Sequence, residues 1–125
     1  MKFCTVINCM DGRVQLPVIK YLQERFGAEY VDSITEPGPN RILAEQTNTA
    51  LLDSISTRLK ISLGNHESIG IAVAGHHGCA GNPTPKDEQT QHTLNAVKFL
   101  KSKYPGVEII GLWVDGNWEV EEIQL

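Results

Sequence analysis

The segment spanning residues 69–74 constrains the fold most strongly, because its sequence IGIAVA carries no polar side chain. A strand that is apolar on both faces needs cover on both sides, which is typical of the central strands of parallel sheets. Parallel sheets are covered by the helices that connect their strands. We therefore expect residues 69–74 to form a central strand of an α/β sheet.

The rest of the chain alternates between strand and helix signals. Strands are predicted at residues 3–8, 29–34, 107–114 and 118–123, from their short β-branched or apolar runs. A first helix begins near Leu16 and ends at Gly27, a suitable C-cap. A long second helix is expected from an N-cap at Asn40 to Gly64, after the Pro37-Gly38-Pro39 breaker.

A third helix is predicted from a cap at Thr84, with Pro85 in its first position, to about Tyr104. Asp115-Gly116-Asn117 lies between two apolar runs and favours a hairpin with a tight primed turn. The predicted order is β-α-β-α-β-α-β-β, in one domain over residues 1–125. The fold class is α/β, an open and mostly parallel sheet of order 2-1-3-4 with an antiparallel edge strand, flanked by helices.

Composition narrows the range of functions. The 125 residues include 41% hydrophobic and 21% charged residues, which is typical of a soluble globular protein. The net charge is -4 without a basic run, so no nucleic-acid partner is expected. No apolar stretch has the length of a membrane span, and the N-terminus does not resemble a signal peptide. We expect a cytoplasmic protein without a membrane partner, in which cysteines are thiols or metal ligands.

Two groups of reactive residues follow predicted strands. Cys9-Met10-Asp11-Gly12-Arg13 follows the first strand, and the segment from Gly75 to Gly81, which contains His76 and Cys79, follows the third. Ligands of open α/β sheets bind at the carboxyl ends of the strands, where the strand order reverses. If the first and third strands are neighbours, the two groups form one site.

Cys9, His76 and Cys79 are predicted to bind one zinc ion. Thiolate and imidazole are donors that Zn²⁺ prefers, and three protein ligands leave the fourth position for water, as in catalytic sites. No fourth ligand is evident, because Cys4 lies within a strand and is interpreted as a core residue. Each cysteine or histidine alone would more commonly be a packing residue, so the prediction depends on the combination.

Asp11 and Arg13 are predicted to act as a pair beside the metal. A guanidinium keeps a neighbouring carboxylate ionised and orients it. Asp11 could accept a hydrogen bond from zinc-bound hydroxide, or it could take the open metal position itself. His77 is interpreted as solvated, with a proton-shuttle role as the alternative. Trp113 and Trp118 flank the hairpin turn and are interpreted as packing or interface residues.

The two groups resemble the paired signature of β-class carbonic anhydrases, Cys-x-Asp-x-Arg followed by His-x-x-Cys. Residues 26–38 and 111–123 are also similar to segments of that family, so the chain is identified as a compact member. The resemblance implies zinc held by Cys9, His76 and Cys79, an orienting pair of Asp11 and Arg13, and reversible hydration of carbon dioxide to bicarbonate by zinc hydroxide. It also implies a homodimer, because family sites are built near subunit contacts.

Several positions differ from the family pattern. Members usually carry a helical N-terminal arm, whereas the first predicted strand here begins at Phe3. The usual Arg-Asn-Ala-Gly turn reads Thr35-Glu36-Pro37-Gly38, Gly12 stands where Ser is common, and Gln15 is the nearest candidate for a polar pocket residue. The alternatives are a non-catalytic zinc-binding relative, a hydrolase of carbonyl sulfide or carbon disulfide, and a redox role for Cys9 and Cys79.

Overall fold

A computed structural model describes residues 1–125, which form one five-stranded sheet of order β2-β1-β3-β4-β5. All neighbouring strands pair in parallel except β4 and β5, which are antiparallel. The predicted fold class and strand order are therefore confirmed. The strands are β1 (Phe3–Cys9), β2 (Tyr30–Glu36), β3 (Gly70–His76), β4 (Glu108–Val114) and β5 (Val120–Ile123).

Four α-helices cover the two faces of this sheet. Gly27 ends α1 in the left-handed conformation, with φ 63°, as the C-cap signal predicted. A 3₁₀ turn, Gly12–Val14, precedes α1, and a π-helical segment, Ile61–Asn65, follows α3. The helices are α1 (Gln15–Phe26), α2 (Pro39–Glu45), α3 (Thr49–Lys60) and α4 (Lys86–Lys103).

The predicted long helix from Asn40 is wrong, because α2 and α3 are separate helices. Gln46 adopts φ 58° and ends α2, and the side chain of Asn48 accepts a hydrogen bond from the Leu51 backbone N–H at the start of α3. Asn40 is not the N-cap; it is buried inside α2, and Gly38 is the capping residue. A side-chain cap within the run thus divides a pattern of apolar spacing that looks continuous in sequence.

Two further boundaries differ from expectation. Pro85, not Thr84, is the N-cap of α4, because the Thr84 hydroxyl donates to the Asn82 side chain instead of capping the helix. The hairpin loop is longer than a two-residue turn, since the Asp115 N–H donates to the Glu119 carbonyl at 3.0 Å. Trp118 therefore belongs to the loop, and β5 begins only at Val120.

The hydrophobic core has two parts, one on each face of the sheet. One packs β1, β3 and β4 against α1 and includes Val6, Val18 and Leu22. The other packs the sheet against α2, α3 and α4 and includes Ile55 and Leu100. All seven residues of β3 are buried, which confirms that the IGIAVA segment is central. None of the helices is long and apolar enough to cross a membrane.

Candidate metal centre

Cys9, His76 and Cys79 meet at the carboxyl ends of β1 and β3. Each contributes one potential ligand atom, and the three atoms lie within 4.8 Å of one another. All three residues are buried, with His76 only 1% exposed. The neighbouring positions of β1 and β3 in the sheet account for this proximity, since both strands end at the same edge. The structure thus brings together three residues that could hold a metal ion.

The side chain of His76 is oriented by the backbone that follows it. Its Nδ1 lies 2.8 Å from the His77 carbonyl oxygen, so Nδ1 carries the proton and donates. Nε2 is then the nitrogen with a free lone pair, and it is a buried polar atom whose one interaction is with the neighbouring Cys9 thiol, itself a candidate ligand. A buried polar group is rarely left unpaired, unless a metal or another ligand uses it. The imidazole is therefore in the tautomer that a metal ligand requires.

The two sulfur atoms have the spacing expected around one tetrahedral zinc ion. Two thiolates at about 2.3 Å from zinc, separated by the tetrahedral angle, lie about 3.8 Å apart. The observed distance between Cys9 Sγ and Cys79 Sγ is 3.8 Å, and both cysteines are free of disulfides. The donor set and its spacing therefore fit zinc, the ion that the sequence predicted.

Backbone N–H groups from the surrounding loops stabilise negative charge on the sulfurs. The N–H groups of Gly38 and Asp11 donate to Cys9, and those of Gly81 and Asn82 donate to Cys79. Hydrogen bonding with the Cys79 thiol is the largest cause that lowers the pKa of Cys9. The same hydrogen bond raises the pKa of Cys79, because the pair shares a proton. A cation at this point would replace the shared proton.

Two glycines allow the loops after β2 and β3 to approach each other closely. Gly38 has φ 60°, and a Cβ atom there would lie 2.7 Å from the backbone of Gly81. A Cβ atom at Gly81 would in turn lie 2.4 Å from the backbone of Pro37. Only glycine fits both positions without displacement of the backbone. This contact holds the Gly38 N–H against Cys9 although the turn differs from the usual family sequence.

Asp11 and Arg13 form an ion pair on the loop that follows Cys9. Arg13 Nη2 donates to Asp11 Oδ2 at 2.7 Å, and Arg13 Nε donates to Asp11 Oδ1 at 3.0 Å. These side-chain hydrogen bonds lower the pKa of Asp11 to about 2, so the carboxylate is ionised at neutral pH. Gln15 Nε2 donates to the carbonyl oxygens of Cys9 and Asp11 at 2.8 and 2.9 Å. The amide of Gln15 therefore fixes the loop that carries both residues.

A buried polar network holds the backbone of His76, and the sequence analysis did not identify it. Gln89 Nε2 donates to the His76 carbonyl at 2.7 Å, and Gln89 Oε1 accepts from the His76 N–H at 3.2 Å. Asn40 Nδ2 donates to Gln89 Oε1 and to Thr93 Oγ1, at 3.3 and 3.1 Å. The spacing of Gln89 and Thr93 could have indicated this network, because residues four apart in a helix lie on the same face of α4.

The third cysteine and two further histidines lie outside the metal group. Cys4 is fully buried in β1, as predicted, and burial raises the pKa of its thiol to about 11. His77 is exposed, and its ring lies against the hairpin loop, where a Cβ on Gly116 would come within 3.3 Å. His66 lies at the opposite end of the sheet, where Nδ1 is 2.6 Å from Asp32 Oδ2. None of these side chains completes the metal group.

Comparison with models of known protein families shows to which family the chain belongs. A family model described as "Putative carbonic anhydrase" matches residues 1–124. The chain belongs to the carbonic anhydrase family of enzymes. A search of curated proteins found no match to the sequence. The family match covers nearly the entire chain, including both groups of reactive residues.

Solved β-carbonic anhydrases have the same fold. One of the tetrameric enzymes from the ascomycete Sordaria macrospora matches 99% of this chain and 81% of its own, with a TM-score of 0.65 and 13% identity. Isoform I from the protozoan Trichomonas vaginalis matches 96% of this chain and 81% of its own, with a TM-score of 0.61 and 15% identity. The carbonic anhydrase from Glaciozyma antarctica has the same coverage and TM-score at 16% identity. This carbonic anhydrase therefore has the β-class fold.

Proposed function

We propose that this protein binds one zinc ion through Cys9, His76 and Cys79 and catalyses the reversible hydration of carbon dioxide to bicarbonate. The observation that carries the proposal is the geometry of the three donors. Their sulfur spacing of 3.8 Å suits a tetrahedral zinc ion, and His76 Nε2 is buried with no partner outside this group of donors. Membership of the carbonic anhydrase family supports the reaction.

Zinc, when bound, supplies a Lewis acid that lowers the pKa of a water molecule towards neutrality and so provides a nucleophile. The Cys9 and Cys79 thiolates and the neutral His76 imidazole would hold the ion, and the two thiolates would balance its charge. Burial of the ligands keeps competing solvent away from the sulfurs, whereas the less buried Asp11 and Arg13 mark the side from which substrate enters.

Asp11 is proposed to accept a hydrogen bond from the attacking water and thereby direct its lone pair at carbon dioxide. Both carboxylate oxygens already accept from Arg13, which holds the carboxylate in one orientation. The carboxylate keeps a free lone pair with which it can accept from the attacking water while Arg13 stays bound; ligation of the metal by Asp11 is the alternative. Gln15 fixes the backbone on either side of the pair through the Cys9 and Asp11 carbonyls.

We propose a homodimer in which the partner subunit covers apolar side chains beside the site. Met10 and Leu16 flank the Asp-Arg pair and are 63% and 79% exposed in the single chain. Trp113 is buried within its own subunit, so Trp118 is the hairpin tryptophan available near such an interface. Light scattering of the purified protein tests the assembly.

We propose a cytoplasmic location, since thiolate ligands persist in a reducing compartment.

The direct test is stopped-flow measurement of carbon dioxide hydration by zinc-loaded protein, with Asp11→Asn as the variant and Asp53→Asn as the matched control. Asp53 lies on the exposed surface of α3, away from the metal group. Loss of an orienting carboxylate should lower kcat/KM about 100-fold, whereas Asp53→Asn should retain wild-type activity.

Two results would contradict the proposal. A zinc-loaded wild type with no hydration above the buffer rate, from neutral to alkaline pH, would exclude carbon dioxide as the substrate. An Asp11→Asn variant that is more active than the wild type would show that Asp11 closes the site by binding the metal.

A further inference from the structure

The indole of Trp118 lies directly over the guanidinium of Arg13. The distance from Arg13 Cζ to the centroid of the Trp118 ring is 4.5 Å, which is within the range of a cation–π interaction. Trp118 comes from the loop between β4 and β5, so the end of the chain contacts the loop that follows the first strand. Arg13 makes this contact while its Nε and Nη2 donate to Asp11, so the guanidinium meets the indole and the carboxylate together.

Trp118 adopts a backbone conformation that is uncommon for a large side chain. Its φ is 61°, in the left-handed region that bulky residues avoid. The surrounding loop holds this conformation, because the Trp118 N–H donates to the Asp115 carbonyl at 3.0 Å. The Asp115 carboxylate also accepts from the backbone N–H groups of Asn117 and Glu119, at 2.8 and 3.0 Å. Strained residues that the surroundings hold in place are concentrated at functional sites.

Arg13 has few other contacts that could hold its orientation. Its side chain is 54% exposed, and its one charged partner is Asp11. The bidentate hydrogen bonds to Asp11 align the two groups with each other, but because both side chains are partly exposed, holding that geometry costs side-chain entropy. An aromatic surface on one side of the guanidinium restricts its plane, so that Nε and Nη2 point at the carboxylate together. The indole therefore supplies an ordering contact that the ion pair lacks.

We infer that Trp118 is a positioning residue, which holds the Arg13 guanidinium in the plane required to orient Asp11. This role in the reaction rests on the proposed function, whereas the ordering of Arg13 does not. The loop between β4 and β5 thus contributes a residue that supports the candidate metal centre. Trp118 affects the Asp11 carboxylate through Arg13 and does not contact substrate.

The ordering is measured by NMR through the Nε–H signal of Arg13. In wild type, the Arg13 side-chain protons should be shifted upfield by the indole ring current, and exchange of the Nε–H with water should be slow. Trp118→Leu should accelerate this exchange about two- to five-fold, the factor expected for one exposed cation–π contact. Trp118→Phe keeps an aromatic face and should recover most of the protection. Trp113→Phe removes the tryptophan outside the Arg13 contact and should leave the exchange unchanged.

Carbon dioxide hydration by the same zinc-loaded variants links the ordering to the reaction. Trp118→Leu should lower kcat/KM by a similar factor, and Trp118→Phe should restore it. A structural role alone would lower the melting temperature of both variants without changing the exchange rate of the Arg13 Nε–H. Two results would overturn the inference. The first, which needs no variant, is a wild type that lacks the ring-current shift. The second is an equal exchange rate of the Arg13 Nε–H in Trp118→Leu and Trp118→Phe. Wild type without hydration activity would instead refute the proposed function, while the NMR result still decides whether Trp118 orders Arg13.

Discussion

Replacement of Cys79 by alanine tests the metal centre most directly. The change removes one of two sulfurs that lie 3.8 Å apart and leaves Cys9 and His76 as the remaining donors. It also leaves the backbone N–H groups of Gly81 and Asn82 without the sulfur to which they donate. A cation with charge +2 would then face one thiolate instead of two, so both a bond and half of the neutralising charge are lost.

The size of the effect follows from the energy of a zinc–ligand set. Apparent binding energies of four-ligand zinc sites are about 10–16 kcal/mol, or roughly 2.5–4 kcal/mol per ligand. Since about 1.4 kcal/mol corresponds to a factor of ten, loss of Cys79 should weaken zinc binding about 10²- to 10³-fold. Cys4→Ala is the matched control, because Cys4 is equally buried in β1 but lies outside the metal group.

The measurement is competition against a chelator of known affinity, followed by metal analysis of the dialysed protein. Wild type and Cys4→Ala should retain one zinc per chain at a chelator concentration that strips Cys79→Ala. Zinc that binds only the folded state stabilises it. The melting temperature should therefore rise on zinc addition for wild type but not for Cys79→Ala. If Cys79→Ala keeps wild-type affinity, Cys79 is not a ligand and the proposed centre is wrong.

Two further predictions concern the loops and helix that support the site. Gly38→Ala should destabilise the fold by about 2–4 kcal/mol, since it adds left-handed strain to a backbone clash; it should also weaken zinc binding. Gly12→Ala, which adds a Cβ atom with no neighbour within 4 Å, is the control for both measurements. Gln89→Leu should cost about 2–4 kcal/mol in urea unfolding, because two buried backbone groups lose their partners. The exposed Gln91 on the same helix provides the control Gln91→Leu; equal stability of either variant and its control would contradict the reasoning.

The sequence was most informative where a local pattern has one structural solution. An apolar strand such as IGIAVA must be central, and Gly27 after Arg25-Phe26 must end a helix, and both were confirmed. It was less informative where two arrangements have similar local energies. The apolar spacing between Asn40 and Gly64 suits one helix or two, and the side-chain cap at Asn48 decides between them.

The polar network around Gln89 shows a second limit. Asn40 in isolation is a good N-cap residue, and Gln89 in isolation is an ordinary helical residue. Their functions depend on each other, since the Asn40 amide donates to Gln89 Oε1 and Gln89 binds both backbone groups of His76. Such partnerships depend on how α2 and α4 pack on β3, and no local sequence pattern encodes that packing.

The sequence by itself determined the identities of the three candidate ligands and the strands that they follow. Cys9, His76 and Cys79 are identified by donor chemistry and by the strand ends, which are local properties. The tertiary structure decided what surrounds those ligands: the tautomer of His76, the backbone donors to the sulfurs, and the indole over Arg13. These contacts join loops that are distant along the chain, so they form only when the sheet aligns its strand ends and the glycines allow the loops to meet.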